Sequence, residues 1–129
     1  IQMLLFQYVA AYTALDSLMR ESFGFQAAHA LVMLKNKLRP HVEFYSDEEM
    51  KLAEKYGLED SSGRLMLKEA GSFPFKNSEC AVLYSKERME LGRTELPDIT
   101  PVDIPTPESI TPAHLEALSQ VINFTNAGQ

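Results

Sequence analysis

The sequence predicts a mainly α-helical protein with a minor β component: a helical hairpin or bundle, one small β-hairpin near 64–76, and a proline-rich extended arm before a C-terminal helix. Three observations predict it. Apolar residues recur at three- and four-residue steps over 3–22, 26–56 and 78–91, the period of a helix with one buried face. Two short apolar runs, Arg64-Leu65-Met66-Leu67 and Ser72-Phe73-Pro74-Phe75, flank Glu69-Ala70-Gly71 as strands flank a turn. Pro97, Pro101, Pro105 and Pro107 crowd into a stretch of the chain where that density forbids a long helix.

The first element reads as a helix over about Met3 to Ser22. Leu5, Tyr8, Val9, Tyr12, Leu15 and Met19 form its stripe, and Leu4, Ala11 and Leu18 widen it. A helix apolar over most of its circumference is central in its domain or covered by another chain, which raises the expectation of self-association. The apolar start is too short for a membrane span and lacks the basic residues of a signal peptide, so it reads as the start of a buried helix. Gly24 suits the left-handed position after the helix end.

The next helix begins near Gln26, with a stripe through Ala27, Leu31, Leu34, Leu38, Val42, Tyr45, Leu52 and Tyr56. Pro40 removes a backbone donor within it. Ser46-Asp47-Glu48-Glu49 has the form of a capping box, which would restart a helix. The apolar phase runs through both, so one long, bent element ending at Tyr56 is expected, with Gly57 as its C-cap. Asp60-Ser61-Ser62-Gly63 is turn chemistry. Pro74 confines its strand to a sheet edge, and an isolated hairpin is marginal in water, so Leu65, Leu67, Phe73 or Phe75 should pack on a helix. Asn77 caps a third helix, about Ser78 to Leu91, with Cys80, Leu83, Tyr84, Arg88 and Leu91 facing inward and Gly92 beyond its end. Ile99, Val102 and Ile104 anchor the arm. Thr111-Pro112 opens the last helix, with proline at its first position and Leu115, Leu118 and Ile122 inward. This gives a single domain overall: a helical core over 1–95 and the arm with its helix over 96–129.

Length and composition bound the function. A chain of 129 residues, 45 % hydrophobic and 23 % charged, suits one soluble globular domain. The net charge is −6, so binding to nucleic acid or to an anionic membrane is not expected. No Lys or Arg occurs from Leu96 to Gln129, against Asp98, Asp103, Glu108 and Glu116. The lone Cys80 can form no disulfide within the chain and fits a reducing compartment.

Chemistry is hard to find. His29, His41, His114 and Cys80 lie at no metal-ligand spacing. Cys80 sits on an apolar stripe, where a thiol acts as a small hydrophobe. Asp47, Glu48, Glu49 and Glu54 alternate with Lys51 and Lys55 as a solvated helix face does. The Asp60 turn fails as a calcium loop, because the sixth and twelfth positions are Leu65 and Gly71. No phosphate-cradling glycine motif occurs. No catalytic, cofactor or metal residue is therefore expected, and the chain reads as no enzyme.

The order Leu38-Arg39-Pro40-His41-Val42, Lys55-Tyr56-Gly57, Asp60-Ser61-Ser62-Gly63 and Ile110-Thr111-Pro112-Ala113-His114-Leu115-Glu116-Ala117-Leu118 resembles a family of small phage and prophage proteins of unknown function. Its members look like a helical pair, a "KYG" turn with a short hairpin, a helix and a C-terminal helix. The resemblance implies a viral or prophage origin and carries over no active residues. With the broad first helix and the arm, it leads to a non-enzymatic interaction protein of virion morphogenesis, working as a homo-oligomer or on another protein. Leu4, Leu5, Tyr8, Tyr12, Ile99, Val102 and Ile104 are the expected contact surface. The alternative is a small acidic inhibitor of a host defence nuclease, presenting the carboxylates of the tail in place of phosphates.

Overall fold

The computed structural model describes residues 3–67 and 72–125. In chain order these form β1 (Met3–Leu4), α1 (Leu5–Leu18), α2 (Phe25–Tyr56), α3 (Ser78–Gly92), β2 (Glu95–Leu96), β3 (Val102–Pro105), α4 (Pro112–Leu118) and β4 (Ile122–Thr125). The protein is mainly α with minor β, as its periodicity requires. Contacts divide it into two units, residues Ile1–Val42 with Glu95–Gln129, and residues Glu43–Thr94. One contact limit, at 94/95, falls beside the expected 95/96, but the segment beyond it groups with residues 1–42, and the other limit lies inside α2.

In the first unit, α1 is shorter than its apolar run. Met3 and Leu4 pair antiparallel with Leu96 and Glu95, and the Leu4 N–H donates to the Gln7 side chain at 2.7 Å. The helix stops at Leu18, with Met19 still right-handed. The left-handed role expected of Gly24 is not used, since among the described glycines only Gly63 has a positive φ, of 83°. Gly24 instead accepts the Ala28 N–H at 2.9 Å and starts α2. Residues of α1 meet those of α2 in antiparallel order. Tyr8 contacts His41 edge to face at 5.0 Å, and Lys35 lies over Tyr12 and pairs with Asp16.

The arm is more ordered than an extended strap. Val102–Pro105 pairs in parallel with Ile122–Thr125, and α4 bridges the two strands. A parallel pair needs a crossover of about a dozen residues or more, and the Thr111-Pro112 start supplies a compact one. Thr111 Oγ1 accepts the His114 N–H at 3.2 Å, and α4 packs on α1. The core gathers Leu5, Leu15, Leu31, Leu34, Leu38, Ile104, Leu118 and Val121, all fully buried. Ile122 is buried as expected, but Leu115 is exposed. It lies at the margin of a helix of only seven residues, whose covered face runs through His114, Ala117 and Leu118.

Pro40 and Ser46 both lie inside α2, which continues from Phe25 to Tyr56. The capping-box residues therefore do other work. In the second unit, Glu49 Oε2 accepts the Tyr45 hydroxyl at 2.9 Å and Arg88 Nε at 2.6 Å, tying two helices through one oxygen. Asn77 Oδ1 accepts the Cys80 N–H at 2.8 Å and caps α3; Gly92 is its last residue rather than lying beyond it.

The expected hairpin over 64–76 is corrected. Among the described residues, its two arms pair with the segment after α2 instead of with each other: Glu59 bridges Leu65, and Gly57 bridges Phe75. The Leu58 N–H donates to the Pro74 carbonyl and its own carbonyl accepts the Met66 N–H, both at 2.8 Å. The expected turn at 69–71 lies outside the described residues. Asp60 makes the sharp reversal instead. Its Oδ1 accepts the Ser62 N–H and hydroxyl and the Arg64 N–H, bonds that hold its carboxyl below the usual carboxylate range, that from the Ser62 side chain foremost. Gly63, with its positive φ, completes the turn. Phe73 and Phe75 lie 5.4 Å and 5.3 Å from the Tyr84 ring of α3, the helix packing that the run needed.

Candidate interaction surface

The seven expected contact residues all fall in the first unit, but they do not form an open face. Leu5, Tyr8 and Ile104 are buried there, and they are core, which corrects the expectation. The broad apolar face of α1 is covered by elements far along the chain. The Tyr8 hydroxyl donates to the Pro97 carbonyl at 2.5 Å. Burial, with the Asp98 charge second, raises the pKa of that phenol. Leu4, Tyr12, Ile99 and Val102 are half-buried. Leu4 is held in the β1–β2 pair, Val102 in the parallel pair, and Tyr12 beneath Lys35. Ile99 lines an open depression of about 500 Å³ with Met3, Pro101 and Gln120.

The open apolar side chains are others. In the first unit, Phe25 is 84 % exposed, and Val32, Met33 and Leu115 are also exposed. Phe25, His29 and Val32 stand at i, i+4 and i+7 on α2, opposite the buried Leu31, Leu34 and Leu38. The Phe25 ring stacks on His29, with centroids 6.1 Å apart and planes 15° from parallel. In the second unit, Phe44, Met50, Leu67, Val82 and Met89 are exposed. A sequence signal for the Phe25 stripe existed, because two apolar sets a half-turn apart run through 25–38. Reading only the larger set hides the smaller.

Several ionisable groups are engaged in structure. His41 meets Tyr8, and His29 meets Phe25. His114 lines a cleft of about 330 Å³ with Ser17, Glu21 and Thr111, between α1 and the start of α4. Cys80 is half-buried at the first turn of α3. Among the described residues, no three of His, Cys, Asp and Glu are placed to hold a metal ion. No described helix is long and apolar enough to cross a membrane.

Tyr45 shows what the Glu49 oxygen does. Burial, then the hydrogen bond to Glu49, pushes its phenol up from 10.0 to about 12. The folded chain therefore holds this proton where the unfolded chain loses it, and stability falls as pH rises from 10 toward 12. An absorbance titration of phenolate should show one tyrosine ionising late, near the top of that window. Tyr45→Phe should remove that late step and leave the earlier ones in place.

No family model, curated protein or solved structure matches the chain.

Proposed function

We propose that the chain is a non-enzymatic interaction protein of phage or prophage origin, acting in virion morphogenesis through association with further copies of itself. Its setting would be the host cytoplasm or the assembling particle. The observation that carries the reading is the set of large apolar side chains left open after each unit has closed its own core, led by Phe25 at 84 % exposure. Exposed apolar side chains gathered on one helix face, as Phe25, Val32 and Met33 are on α2, mark an interaction surface where they form a contiguous patch. The resemblance of the order of sequence features to small phage proteins supports the viral setting.

Light scattering on a size-exclusion column tests the self-association. The expected mass is a multiple of 14.5 kDa that rises with loading concentration. A constant 14.5 kDa across the whole range overturns it.

A further inference from the structure

Charge is segregated on the first unit, and that segregation selects a partner for its open apolar stripe. From Phe25 to Val42, α2 carries Lys35, Lys37 and Arg39 and no carboxylate. Lys35 is paired with Asp16. Lys37 and Arg39 are exposed, and among the described residues neither meets a carboxylate; Arg39 instead donates to Asn36 Oδ1 at 3.0 Å. Two residues apart on a helix is about 200° of rotation, so Lys37 and Arg39 flank the stripe of Phe25, Val32 and Met33 on its two sides.

The other end of the same unit is the reverse. The chain from Leu96 onward has no Lys or Arg. Glu108 and Glu116 are exposed, with no ion pair among the described residues. Beside Glu116 on α4 stands Leu115, the exposed large apolar side chain of that segment. The apolar stripe of α2 is thus accompanied by basic residues, and the segment that carries the exposed Leu115 has acidic residues and no basic ones.

We infer that the α2 stripe of one copy docks on the α4 face of a second copy, Phe25, Val32 and Met33 covering Leu115, with Lys37 and Arg39 facing Glu108 and Glu116. This rests on the self-association proposed above and names its surface. Charge decides between the possible pairings. Two α2 stripes face to face would oppose basic rims, and two α4 faces would oppose acidic ones, while the crossed pairing sets opposite signs together. Because the two faces differ, the contact is head to tail, and it propagates into a chain or closes into a ring. The rim pairs are solvent-exposed, so they set partner choice and salt dependence more than raw affinity.

The test is a pair of charge reversals in the full chain, Lys37→Glu with Arg39→Glu, and Glu108→Lys with Glu116→Lys. All four residues are exposed, and circular dichroism checks that each variant keeps its helix content. By light scattering, each double variant alone should associate about tenfold more weakly than the parent chain or less. Their equimolar mixture should recover association, because each then offers the other a face of opposite sign. If the parent associates and both variants associate unchanged, the docking surface is overturned while self-association stands. If only the α2 variant is weakened, α2 meets some face other than α4 and the inference fails. A parent chain monomeric at every concentration overturns both readings together.

Discussion

Replacing Gly57 with alanine is expected to destabilise the unit formed by residues 43–94 by about 2–3 kcal/mol. The reason is space rather than backbone freedom, since Gly57 has no positive φ. A β-carbon there would overlap Leu65 Cδ1, stand 2.5 Å from the Ala53 carbonyl oxygen and reach 3.0 Å from Phe73 Cδ2. The leucine tip can turn away, but the backbone oxygen cannot. Gly57 also donates to that same Ala53 oxygen at 2.7 Å and bridges Phe75, so relief by backbone movement breaks the pairing. Gly63→Ala makes the contrast. Nothing lies within 4 Å of its added carbon, but its φ is +83°, and the left-handed conformation costs an alanine about 1–2 kcal/mol. Urea unfolding followed by circular dichroism measures both. A Gly57→Ala chain as stable as the parent would show that the segment after α2 does not close on the 65 and 73 side chains.

The same glycine shows where the sequence was legible. Lys55-Tyr56-Gly57 reads correctly as the end of a helix, and Asp60 to Gly63 as a turn, because caps and turns are written in a few adjacent residues. The Asn77 and Thr111-Pro112 helix starts are legible for the same reason. Strand pairing is not local. The runs at 64–67 and 72–75 look like each other's partners because they are neighbours in sequence, yet the segment at 57–59 accepts both, since it is fixed in place by the end of α2. The proposed contact residues fail by the same logic. Leu5 and Tyr8 looked too many for a short chain to cover, because the cover comes from residues about 90 positions later, as the Tyr8 to Pro97 hydrogen bond shows. The Phe25 stripe was present in the spacing but masked by the stronger Leu31, Leu34 and Leu38 set on the other face.

Ile104→Ala is expected to cost the first unit about 2–5 kcal/mol and to leave association per folded molecule unchanged. Ile104 is fully buried, in the middle of the β3–β4 pair, in register with Phe124. Truncating it removes apolar area from contact with its neighbours and leaves a cavity that a strand pinned on both sides of the position cannot collapse into. The Val102 N–H is held by the Val121 carbonyl at 3.1 Å and the Thr106 N–H by the Thr125 carbonyl at 2.8 Å. A contact residue behaves in the opposite way. Val32→Ala, on the open stripe, should change stability by well under 1 kcal/mol, as exposed substitutions do, while weakening association. Unfolding midpoints and light-scattering masses on the two variants separate core from surface. An Ile104→Ala chain of parental stability that no longer associates would return the arm to the outside of the fold, because a side chain cannot be both sealed in its own core and available to a neighbour.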